Sequence, residues 1–157
     1  FRKTREIHQM GSLTVNLRNY YGSTYAGDRS VNVQGLLIMG FGGSMRYNDG
    51  KHQFTDRQMY WRILKRIPRL VWNRLVHGRY LDILLTHAPP LGIHDKNDTT
   101  HRGFKPFLWF MRTFKPRYLL HGHIHLYDLN ATRETQYKET RVVNAYDHLV
   151  LDLEVDG

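Results

Sequence analysis

The chain has 157 residues, 41% hydrophobic and 13% aromatic, with 23 Lys or Arg against 14 Asp or Glu and a net charge of +9 with its ten histidines neutral. That length and apolar content suit one domain, or part of one, with a real core, and argue against disorder. The absence of cysteine excludes disulfides, thiolate nucleophiles and thiolate zinc sites, which leaves histidine and oxygen as metal ligands, while the positive charge favours anionic partners at rates that salt suppresses.

The opening Phe1-Arg2-Lys3-Thr4-Arg5 is basic without an apolar core, so it does not read as a secretory signal, and a start at Phe1 rather than Met predicts an upstream segment. No apolar run reaches bilayer length and neither end carries a lipidation signal; the expectation is a soluble, cytoplasmic protein with no membrane partner.

Apolar and β-branched segments at 13–17, 31–39, 81–86, 118–121, 141–144 and 148–155 predict strands. After the second of these, Gly40-Phe41-Gly42-Gly43-Ser44-Met45-Arg46-Tyr47 reads either as a plain turn or as a loop whose amides, with Arg46, hold phosphate oxygens; it lacks the lysine and spacing of a P-loop. Asn48-Asp49-Gly50 reads as a further turn. Thr55 caps a basic helix through Met59, Ile63 and Ile67, Pro68 interrupts it, and a continuation over 70–77 ends at Gly78. Its cations, Arg57, Arg62, Lys65, Arg66, Arg69 and Arg74, form a face that is solvated or offered to RNA, DNA or an anionic membrane. Trp61 and Trp72, with Met59, Ile63 and Leu64, are expected to pack against the sheet. A second helix is expected over 103–114. Strand, helix, strand, helix, strand from 36 to 121 predicts an α/β fold on a mixed sheet, with the closing strands supplying its antiparallel portion.

Two histidine motifs fall at strand ends, Thr86-His87-Ala88-Pro89-Pro90 and Leu120-His121-Gly122-His123-Ile124-His125. Loops beyond the carboxyl ends of strands are where α/β sheets gather functional residues. Imidazole binds divalent transition metals, and residues two apart on an extended chain project to one side, so His123 and His125 can face a common point beside the turn at Gly122. Pro89 and Pro90 stiffen the loop that presents His87. Asp95 reads as a plain turn carboxylate, or as a group that contacts substrate or orients a metal ligand. His121 reads as a strand histidine with an ordinary hydrogen bond, and His94 and His101 carry less signal. The competing reading makes His87 an ordinary strand-end residue and His123 and His125 polar surface groups.

A lone strand-end histidine followed downstream by Gly-His-x-His resembles the closing motifs of the calcineurin-like metallophosphoesterases, and His-x-Pro-Pro-x-Gly running on to an aspartate resembles a subgroup of them. The resemblance covers most of the chain. It implies a mixed β-sheet sandwich flanked by helices, and two divalent ions about 3.5 to 4 Å apart that clamp a phosphomonoester or phosphodiester and activate a water for in-line attack. Manganese, iron and zinc all suit nitrogen and oxygen ligands. By the same match His87 and His123 are ligands of the second metal and His125 of the first. The family's ordered opening, Asp-x-His, then Gly-Asp, then Gly-Asn-His-Asp or Glu, is absent, so the resemblance makes this the carboxyl-terminal part of a single such domain. No catalytic acid is then present, and the chain alone is expected to be inactive. Two other readings stand beside it: a non-catalytic basic module for nucleic acid or another anionic partner, and three histidines holding a single zinc ion with an open water position.

Overall fold

All six residues of Leu36–Phe41 are buried, as expected of a strand covered on both faces of its sheet. The structure is a computed structural model that describes residues 5–10, 14–19, 22–25, 28–124, 132–146 and 149–151, with side chains for 28–124, 132–146 and 151. In chain order the elements are β1 (Arg5–Met10), β2 (Thr14–Asn19), β3 (Gly22–Tyr25), β4 (Ser30–Val33), β5 (Leu36–Phe41), β6 (Ser44–Met45), β7 (Gln53–Phe54), α1 (Asp56–Leu64), α2 (Ile67–His77), β8 (Ile83–Thr86), α3 (Lys105–Phe114), β9 (Tyr118–His121), β10 (Glu134–Tyr137), β11 (Thr140–Asn144) and β12 (Leu149–Leu151).

A six-stranded mixed sheet, ordered β10-β11-β9-β8-β5-β4, carries the site. Its inner strands β5, β8, β9 and β11 run parallel, and β4 and β10 close the edges antiparallel. Period-two alternation sorts the residues. Met39, Leu84, Leu119 and Val142 are neighbours across the ladder and belong to the core shared with the helices. Ile38, Leu85, Leu120 and Val143 belong to the opposite core, together with Leu151 of β12. That strand lies in a second, four-stranded antiparallel sheet, β12-β1-β2-β3.

Helix α3 buries Phe107, Phe110, Met111 and Phe114, spaced as one face of a helix. Thr55 caps α1 reciprocally with Gln58: the Thr55 hydroxyl oxygen accepts from Gln58 N–H at 3.2 Å, and Gln58 Oε1 accepts from Thr55 N–H at 2.9 Å. Pro68 lies in the first turn of α2, so it starts a helix there rather than kinking one. Gly78 closes α2 in the left-handed region, at φ 74°.

Four expectations need correction. The strand expected over 31–39 is a hairpin, divided at Gln34 and Gly35, whose φ values are 50° and 89°. Strand 141–144 pairs parallel with β9; the antiparallel neighbour is β10, whose polar residues alternate between exposed and half-buried and gave no apolar signal. Met59 and Ile63 are buried, but Trp61, Leu64 and Trp72 are exposed rather than packed on the sheet. The amides of Ser44, Arg46 and Tyr47 are taken by His52 O, Phe54 O and Gln53 Oε1, so the glycine loop is braced by β7 rather than open as an amide cradle. No helix among the described residues is long and apolar enough to cross a membrane.

Candidate metal centre

Because β8 and β9 are adjacent and parallel, Thr86 and His121 end their strands side by side, with Phe41 and Asn144 in the same row. The chain leaves the sheet just beyond, and its exits are tied together. His87 N–H donates to Phe41 O at 3.2 Å and Gly122 N–H to His87 O at 3.1 Å. The Thr86 hydroxyl donates to Ala88 O at 2.8 Å, and Asn144 Nδ2 donates to Ile124 O at 3.0 Å. Both histidine turns are thus anchored by buried polar groups of the sheet's last row.

This anchoring brings His87 Nε2 to 3.0 Å from His123 Nδ1, ring centroids 4.7 Å apart. His123 takes φ 63°, a left-handed value uncommon outside glycine, so the turn is held against local strain. Its Nε2 lies 3.0 Å from Thr100 O, and a carbonyl accepts only from N–H. Nε2 therefore carries a proton, and in the Nε2–H tautomer of the imidazole it is the Nδ1 lone pair that faces His87. At about 2.0–2.1 Å per metal–nitrogen bond, neighbouring ligands on one ion stand roughly 3 Å apart, so this pair fits shared coordination. Burial, and secondarily the neighbouring His123, lower the His87 pKa from 6.5 to about 4, which keeps the imidazole in the neutral, ligating form.

A second pair lies behind the first. His121 is fully buried and its Nδ1 lies 3.1 Å from Gly122 O; its Nε2 lies 2.9 Å from His94 Nδ1, and His94 Nε2 lies 2.7 Å from the Thr135 hydroxyl. One proton arrangement satisfies all three contacts: Thr135 donates to His94, His94 to His121, and His121 to the Gly122 carbonyl. Both rings are then neutral. Accordingly burial lowers the His121 pKa to about 3 and lowers that of His94. This link from β10 to the Gly122 turn was missed in the sequence, where His94 carried little signal. Its φ of 60° and the turn ending at Gly92 aim it at His121.

The remaining candidates separate. Asp95 Oδ2 accepts from Gly103 N–H at 3.0 Å, closing the loop rather than addressing the histidines. Gly103 itself presses on Pro90, where an added Cβ would stand 2.3 Å from the Pro90 oxygen. Arg46 is exposed on the glycine loop. His101 pairs with Asp98 at 2.8 Å and stacks near His123 with centroids 5.3 Å apart. A Gly-Asp string does occur, at Gly27-Asp28, but the Asp28 carboxylate pairs with Arg62 of α1, whose Nη1 also donates to Gly42 O at 2.7 Å. His125 lies outside the described residues. Among the described residues no group of three or more His, Cys, Asp or Glu side chains is placed to hold a metal, and the His87 and His123 ring nitrogens stand at hydrogen-bonding distance.

No protein-family model and no curated protein sequence matches the chain. Its fold is similar to that of TT1561 of Thermus thermophilus, with a TM-score of 0.54 and 14% identity over 81% of this chain and 53% of that one. A second solved structure aligns with a TM-score of 0.50 and 15% identity over 82% of this chain and 53% of that chain. The chain thus spans about half the length of the structures it matches, and the likeness at this identity is one of fold.

Proposed function

We propose that the chain is the carboxyl-terminal part of a metal-dependent phosphoesterase of the calcineurin-like kind, hydrolysing a phosphomonoester or phosphodiester. The observation that carries this reading is the His87 Nε2 to His123 Nδ1 approach of 3.0 Å at the carboxyl edge of parallel strands, with the His123 proton directed to Thr100. His87, His123 and His125 would hold the metal, and two divalent ions, manganese, iron or zinc, would supply Lewis acidity and an activated water. Burial keeps His87 neutral, and the chain's own residues fix both turns: Thr86 stiffens the His87 turn, while Asn144 and His121 hold the Gly122 turn. Arg46 and Asp95 keep lesser places, as a substrate cation and as a brace of the loop that follows His87. A cytoplasmic setting belongs to the same proposal.

The test is turnover of a nitrophenyl phosphomonoester and diester by protein expressed from its complete open reading frame, with and without His123→Ala. Metal-dependent hydrolysis lost in the variant supports the reading, and unchanged turnover overturns it. A second reading, a non-catalytic anion-binding module, draws on the exposed Arg57, Lys65, Arg69 and Arg74. It expects no hydrolysis and a salt-sensitive complex with RNA.

A further inference from the structure

Helix α2 carries four large apolar residues on the side turned away from the other described residues. At about 100° per residue, Val71, Trp72, Leu75 and Val76 span an arc of roughly 140°. Their exposures are 44%, 58%, 76% and 54%. The residues that α2 buries, Leu70 and Asn73, lie on the opposite side. Helix α1 adds Trp61 and Leu64, exposed by 57% and 39%. An isolated surface leucine is ordinary, but six large apolar side chains on two consecutive short helices mark a surface that meets something.

The charge around that surface indicates what. Arg69 and Arg74 border the α2 arc on either side by helical position, and Arg57 and Lys65 are exposed on and just after α1. Over 56–78 there are six Arg or Lys and a single acid, Asp56. Arg74 also lines a cleft of about 430 Å³ beside Arg79, which pairs with Asp82, and Lys115, which pairs with Glu139.

We infer that the outward face of α2, with Trp61 and Leu64 of α1, docks on the surface of an anionic lipid bilayer. Tryptophan rings settle at headgroup depth, the aliphatic side chains go just below, and arginines bordering the arc reach back to lipid phosphates. Nucleic acid and a second copy of the chain would each satisfy only half of the surface. Nucleic acid would use the arginines and tryptophans but leave Val71, Leu75 and Val76 in water. A second copy would bury the apolar arc but bring the same cations against each other. Docking of this kind lies on a membrane and needs no spanning helix, which agrees with the lengths of the helices described.

The experiment is co-sedimentation of protein expressed from its complete open reading frame with phosphatidylglycerol vesicles and with phosphatidylcholine vesicles, at low and high salt, for the parent, the double variant Trp72→Ser/Leu75→Ser and the double variant Arg69→Glu/Arg74→Glu. Trp72 and Leu75 are exposed, so the melt of that variant should coincide with the parent's, while Arg74 also donates to Gly78 O and lies over Tyr80, so the arginine variant is compared at a temperature where its own melt shows it folded. The expected result is at least about tenfold preference for the anionic vesicles, weakened by salt, and at least about tenfold loss in each double variant. Equal binding to both lipids, no binding, or binding that survives both double variants overturns the inference. So does a concentration-dependent dimer, or an RNA complex, that the Trp72→Ser/Leu75→Ser variant abolishes while vesicle binding is absent. The phosphoesterase assay is independent of these outcomes.

Discussion

The carboxyl edge of the six-stranded sheet and the outer face of α2 reverse the usual distribution of polar and apolar groups, in opposite ways. At the sheet edge, His121, Thr86 and Asn144 are polar and buried, and each meets a partner within 3.1 Å. On α2, Trp72 and Leu75 are apolar and left in solvent. A satisfied polar cluster costs little to bury and holds geometry, so it is a place to position ligands. An apolar face left exposed by the described residues adds little to their packing, so its composition answers to something beyond them.

Replacement of His123 by alanine in the complete protein should have the largest effect. Metal content should fall and phosphoester turnover should drop by more than about 100-fold, since even groups that only support a ligand are worth about 10–100-fold. Steady-state kinetics with parallel metal analysis reads both.

His121→Ala should destabilise the fold by about 2–4 kcal/mol, because it opens a buried space and leaves His94 Nδ1–H without an acceptor. Urea denaturation measures this. A loss below about 0.5 kcal/mol would mean that the polar cluster does not hold the turn.

Acidification attacks the same cluster. His87 and His121 have native pKa values lowered to about 4 and about 3, so below pH 6.5 the unfolded chain binds protons that the native chain refuses. Stability in metal-free buffer should be steady above about pH 6.5 and fall progressively between there and about pH 3. Denaturation series across that window check it, and a flat profile would show that the rings charge without penalty.

Trp72→Ser/Leu75→Ser should shift stability by no more than about 0.5 kcal/mol, the smallest effect of the four and the sharpest form of the contrast. Calorimetric melts decide it. A large loss would show that the α2 face is packed in solution.

The parallel strands β5, β8 and β9 were legible from apolar runs, whereas the meeting of His87 with His123 came from the family resemblance, spacing alone having paired His123 with His125. Apolar runs ending in Thr86-His87 and His121-Gly122-His123 place histidines just past parallel strands. The link from His94 to His121 was not legible, since the partners are 27 residues apart and meet through a loop whose course depends on Gly92, Gly103 and Asp95. Nor did the sequence reveal the orientation of α2. Periodicity shows that Val71, Trp72, Leu75 and Val76 share a side but not which way that side faces. The buried side is instead pinned by Leu70 and by Asn73, whose Nδ2 donates to Tyr80 O at 2.9 Å and fastens the helix to the approach to β8.

The central claim, that the His87 and His123 turn is a metal centre, is tested most directly by metal content. Inductively coupled plasma mass spectrometry on protein from the complete open reading frame, beside its His123→Ala variant, should find two ions per chain in the first and at most one in the second. No bound metal in either would contradict the claim.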